Sequence, residues 1–256
     1  MEYPFDALHA GIESQVLGLP SGIPDSDAVR QARAQPPSVE HCAVLGKALS
    51  RQLRYREAIE IYSVGLMLEP ENLPLLRLRA GRYLTTLQSN RAIRDFERCL
   101  ALGAEKLDCL YRMGLAYFYA GRCMDALAQW EACMPLCDDE MGIAVLYWHT
   151  LCSARAGKKP ALLGQYHTGM AVGHHTAYEK AMRVWSGAAQ WLPVLRELEE
   201  TDDLEYSIGA YGLLWHSDCK NRGSLREDLL RRDGFWPNFA YLAAWNDARK
   251  TVSAPT

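Results

Sequence analysis

The feature that most constrains this chain is a repeat of 34 residues. Ala58, Ala92 and Ala126 recur at that offset, followed four places later by Tyr62, Phe96 and Trp130, and then by Gly65, Cys99 and Cys133. Upstream of each alanine the columns Gly46, Ala80, Gly114 and Leu49, Tyr83, Tyr117 keep the same period. Five gapless columns make a repeat architecture the first reading. Apolar residues inside each unit follow helical spacing, which leaves room for two helices of about 12–14 residues and a short turn. Small residues at Gly46, Ala58 and Gly65 allow close approach of two helix backbones, and Leu49 and Tyr62 fill the space beside the crossing. Pro70 disfavours helix at the residue before it and so closes the first unit.

Gly46, Leu49, Ala58, Tyr62, Gly65 and Pro70 together resemble the signature of the tetratricopeptide repeat at its own spacing. Residues 39–72, 73–106 and 107–140 form three regular units of this kind. The resemblance implies an all-α protein, an α-α superhelix of stacked helical hairpins with an inner groove, ending in a more degenerate helical part.

Outside these units the pattern loosens. AGKKPALLGQY at 156–166 aligns with AGRCMDALAQW at 120–130 at an offset of 36, so 141–170 is expected to be a degenerate fourth hairpin turning at Gly157–Pro160 and closing an array over 38–170. Residues 171–256 are expected to hold further helices: one stretch helical in spacing over 176–200, an antiparallel pair joined by KNRG, and an aromatic closing helix with Pro237 in its first turn. This tail reads as a cap over the last open apolar face of the array. Residues 1–37, with LGLPSGIPDSD and the proline pair 36–37, are expected to form a loose, partly irregular extension, and SAPT a frayed end. Taken together, the stretches from 39 to 250 resemble a group of bacterial tetratricopeptide-repeat proteins.

In such repeats ligands usually lie against the first helix of each hairpin. Carried over by position, that face comprises Lys47, Arg51, Arg77, Tyr111, Arg112, Leu115, Tyr119 and His149. Arginine forks bind carboxylates in bidentate fashion and tyrosines supply rigid contact area, so the groove is expected to take an acidic peptide or a chain terminus. The same arginines could instead form a solvated face, with Tyr119 in the core. The lysine clamp by which some repeats of this family hold a chaperone's terminal carboxylate is missing, because Ala43 stands where that clamp has lysine.

Other function classes find less support. A net charge of -3 offers no general attraction to phosphate backbones or anionic lipid, so neither nucleic acid nor membrane is an expected partner. MEYPFDALHA lacks the basic start of a secretory signal, no apolar run reaches the ~18 residues of a membrane span, and a cytoplasmic protein is expected. The eight cysteines read as reduced thiols; Cys133 and Cys137 lack the second pair of a zinc site, and Cys42, Cys99 and Cys133 occupy packing columns. His174 and His175 are adjacent and point apart on a helix, while His149 and His216 each follow a tryptophan and read as structural. No phosphate-cradling glycine loop, G-x-S-x-G elbow or H-E-x-x-H pair occurs, so no cofactor, metal or enzymatic activity is expected. The reading is a protein-binding scaffold, monomeric or weakly dimeric. The competing readings are a hydrolase or metal enzyme built from His and Cys of the C-terminal half, and self-association through the aromatics Phe235, Trp236, Phe239, Tyr241 and Trp245.

Overall fold

The structure, a computed structural model, describes residues 9–252, with side chains to Lys250. The expectation for SAPT and that for the first eight residues lie outside the described residues. Fourteen α-helices and no strands occur among them. The chain divides into two compact units, residues 1–112 and 113–256.

In the first unit α1 (Ile12–Leu17) and α2 (Asp27–Arg33) precede the hairpin α3 (Val39–Arg51) and α4 (Tyr55–Leu68), then the hairpin α5 (Leu73–Thr85) and α6 (Ser89–Ala101). The unit boundary falls within α7 (Lys106–Tyr119). The second unit continues with α8 (Cys123–Cys133), α9 (Asp139–Arg155), α10 (Thr176–Trp185), α11 (Trp191–Glu199), α12 (Asp203–Leu214), α13 (Arg222–Arg231) and α14 (Phe239–Val252). The second helices α4, α6 and α8 begin at 55, 89 and 123, at the period read from the sequence.

The two helices of a repeat start in different ways. Helices α3 and α5 are capped by side chains: Ser38 accepts from the His41 amide at 3.0 Å and Asn72 from the Leu75 amide at 3.1 Å, so each satisfies an N–H that the first turn leaves free. Helices α4, α6 and α8 have no side-chain cap and start from a tight turn whose second-last residue is left-handed. That residue is Leu53 (φ 57°), Leu87 (φ 56°) and Gly121 (φ 79°), again 34 apart. The turn geometry is therefore a sixth repeating column, and only the third unit fills it with the residue that adopts it without strain.

The packing columns sit where the repeat places them. A Cβ on Gly46 would run into the Tyr62 ring, one on Gly114 into the Trp130 indole, and one on Gly65 would stand 2.5 Å from Leu75 Cδ1. Tyr62, Phe96 and Trp130 are all fully buried. In the second repeat a bidentate pair crosses the hairpin: Arg79 Nε and Nη2 donate to Asp95 at 2.7 and 2.8 Å. Cys99 of a packing column and its neighbour Cys109 behave as small apolar groups; burial pushes their thiols up to about 12 and about 11.

Four expectations need correction. Residues 9–37 are not loose: Arg56 donates to the Gln15 and Val16 carbonyls at 2.6 Å, and Arg54, buried, bridges Asp25 and Glu57 at 2.7 and 2.6 Å, tying α1 and the 24–26 turn to α4. The fourth hairpin lacks its second helix. After α9 the chain runs through the turn at Gly157 (φ 65°) and a short 3-10 turn, Leu163–Gln165, to 175. Asp139 and Glu140 at the start of α9 pin this segment, accepting from the Ala171 and His174 amides. The stretch 176–200 is two helices, α10 and α11, broken around Gly187 (φ 81°). In the closing helix Pro237 lies before the first turn, and Asn238 provides the cap, accepting from the Tyr241 amide at 2.9 Å.

The second unit is organised on α9, which is buried from Gly142 to Ser153 because it carries large apolar residues on all sides. Trp148 meets Phe118 edge-on at 5.4 Å, stacks with Trp130 at 6.4 Å and lies 6.0 Å from Tyr211. Among the described residues no helix is long and apolar enough to cross a membrane.

Candidate functional site

The residues expected to line one basic, aromatic groove meet three different fates. Lys47 and Arg51 are exposed on α3 and make no ion pair among the described residues. Arg77 and Arg112 share one carboxylate: Arg77 Nε donates to Asp108 Oδ2 at 2.9 Å and Arg112 Nε to Asp108 Oδ1 at 2.8 Å. The other four are buried, Tyr111 and Tyr119 at 7% and 3% exposure, His149 at 1% and Leu115 at 0%. Of the eight, then, two stand exposed, two share Asp108 and four are buried.

Asp108 is the residue that position-by-position reading missed. Burial opposes its charge, yet Arg112 and Arg77 outweigh that and hold its carboxyl below the usual range. The i,i+4 spacing of Asp108 and Arg112 was the available signal. The contact with Arg77 joins residues 31 apart and has no local signature.

In the second unit the C-terminal helix covers the residue expected to contact a ligand. Tyr119 donates its hydroxyl to the Phe239 carbonyl at 2.8 Å, and its own carbonyl accepts from Asn246 Nδ2 at 3.0 Å and Lys250 Nζ at 2.8 Å. Deeper in α14, Asp247 accepts from the Tyr211 hydroxyl at 2.8 Å and pairs with Arg155 Nη2 at 3.1 Å. The Arg155 guanidinium lies over the rings of Phe118 and Trp215 at 4.3 and 5.0 Å. The aromatic tail thus has core partners in its own unit: Trp236 and Tyr241 are buried, and Tyr241 donates to the Leu230 carbonyl at 3.0 Å. His149 Nε2 stands 3.3 Å from Glu131 Oε1, and burial lowers its affinity for a proton. An imidazole buried in this way holds its place in the core and offers little to a substrate from solvent.

An open groove lies in the first unit, between α2 and α3. It is a groove of about 710 Å³ lined by Ala28, Gln31 and Gln35 on one side and Val44, Lys47 and Arg51 on the other, with Glu40 near the start of α3. Its floor is fixed by the cap at Ser38 and by His41, whose Nδ1 donates to the Pro36 carbonyl at 3.0 Å. Val44 keeps 55% of its surface exposed although it sits mid-helix, which marks a face without a neighbour. The lining combines amide side chains able to pair with a peptide backbone, small apolar residues and, at one end, two cations without an ion pair among the described residues.

No family model matches the chain, and no curated protein matches its sequence. A solved structure, YrrB, described as a TPR protein with an unusual peptide-binding site, is similar at 11% sequence identity and a TM-score of 0.46, over 88% of this chain and 100% of that one.

Proposed function

We propose that this protein is a binding scaffold that holds an extended segment of another protein in the α2–α3 groove. The observation that carries the reading is the pair Lys47 and Arg51, exposed along an open groove and without an ion pair among the described residues, whereas Arg77 and Arg112 share the Asp108 carboxylate. An unpaired cation beside small apolar residues selects a partner with a carboxylate at the matching position and apolar residues alongside it. Gln31 and Gln35 supply donors and acceptors for the partner's main chain. The buried α9–α14 assembly serves in this reading as a support, since Arg155, Tyr211 and Asp247 engage one another inside it.

The test is selection from a displayed library of random peptides. Sequences enriched in Asp and Glu, lost when Lys47→Glu and Arg51→Glu are combined, support the groove. Enrichment of sequences indifferent to that double substitution overturns it.

A further inference from the structure

A second cleft lies in the C-terminal unit, between the α10–α11 turn and the loop after α12, with a volume of about 840 Å³. Trp185, Trp191 and His216 form its aromatic wall, Leu192 projects at its rim with 48% of its surface exposed, and Asp218 stands beside them. The polar edges of the aromatic residues are already used. Trp185 Nε1 donates to the Gly212 carbonyl and Trp191 Nε1 to the Leu213 carbonyl, both at 3.0 Å, so the C-terminal turn of α12 fixes the two indoles. His216 meets Trp185 edge-on at 5.0 Å, and its Nδ1 accepts from the Asp218 amide at 3.2 Å.

With both indole N–H groups committed, neither can donate to a ligand. What the tryptophans still offer is ring surface, and an indole face attracts a cation more strongly than any other side-chain ring. Among the cleft's residues Asp218 carries the formal charge, with its carboxylate 61% exposed. Burial lowers the proton affinity of His216, so at neutral pH this imidazole adds no opposing charge. Of the cations nearby, Lys220 donates to the Ser217 carbonyl at 3.3 Å and Arg222 lies over the Trp215 ring, which leaves the Asp218 carboxylate with no lysine or arginine of this chain in contact among the described residues.

We propose that this cleft is a second docking site, which takes the alkylammonium group of a lysine side chain on a partner segment: the indole faces of Trp185 and Trp191 receive the alkyl chain and the charge, and Asp218 provides the counter-charge. Exposed Leu192 and Pro193 give the flanking residues an apolar rim. The ligand class follows from the division of labour in the wall. A carboxylate or a carbonyl-rich ligand would find no free donor on either indole, and a purely apolar one would leave Asp218 unused.

The test uses the full chain and follows the indole N–H and imidazole resonances of Trp185, Trp191 and His216 by NMR. The probe is a short lysine-containing peptide, compared with the same peptide carrying norleucine, which keeps the alkyl chain and removes the charge. Selective shifts with the lysine peptide, an affinity at least fivefold weaker for norleucine, and a comparable loss in Asp218→Asn support the site. Asp218 is exposed, so that substitution leaves the fold intact. Equal binding of the two peptides, or resonances that do not move, overturns the proposal. Free choline provides the remaining arm: shifts with choline and none with the lysine peptide assign the cleft to a small-molecule cation and overturn docking of a protein segment.

Discussion

Asp108 shows how much one side chain can change the reading of a surface. Two arginines that sequence alone leaves without a partner share one carboxylate in three dimensions. Removing that carboxylate with Asp108→Asn is expected to cost about 2 kcal/mol at neutral pH, as for hydrogen bonds to charged groups. The folded-state pKa is depressed, so this contribution is fully present above the carboxyl's unfolded value and is lost as pH falls through the folded one. Thermal melts of wild type and variant should accordingly lie well apart at pH 7 and converge as pH drops below about 4. A gap that stays constant would show that the asparagine disturbs packing and not charge. The left-handed turn column allows a second test at this scale. Gly121→Ala places a Cβ in a backbone region that costs about 1–2 kcal/mol for an L-residue, and chemical denaturation should register that loss with an unchanged m-value.

At the scale of elements, what could be read from sequence was what repeats. The starts of α4, α6 and α8, and the pairing of Gly46 with Tyr62 and of Gly114 with Trp130, follow from columns that recur at a fixed offset, because each copy solves the same packing problem. The fourth hairpin misled for the same reason: Gly157 preserves the turn, but the residues after it have lost the apolar periodicity that would hold a second helix. The break around Gly187 was hidden because both halves of 176–200 keep helical spacing in isolation. The role of α14 was legible only in outline. Its aromatics announced burial, whereas the Arg155–Asp247–Tyr211 contacts join residues 92 and 36 apart. Asp247→Ala leaves the Arg155 guanidinium, only 15% exposed, without its carboxylate, and a loss of about 3–5 kcal/mol is expected. The calorimetric transition of the second unit should fall by several degrees; an unshifted transition would mean that α14 contributes little to holding α7 and α12 in place.

For the molecule as a whole, analogy suggests a binding face from the sequence, and the structure divides its residues by availability. Burial withdraws Tyr111, Leu115, Tyr119 and His149, and Asp108 engages Arg77 and Arg112, while Lys47 and Arg51 stay free beside the α2–α3 groove. Nothing in the 34-residue columns foretold that groove, since one of its walls comes from α2, which precedes the first repeat. Those two cations are therefore the groove's distinguishing groups. The most direct test is the fluorescence anisotropy of a labelled acidic peptide, drawn from the display selection, titrated with wild type and with the combined Lys47→Glu, Arg51→Glu variant. Circular dichroism should establish equal helicity first. The expected affinity of the variant is at least about tenfold weaker, a difference of ~1.4 kcal/mol, that narrows as salt is raised. Affinities within twofold of each other at low salt would contradict that expectation.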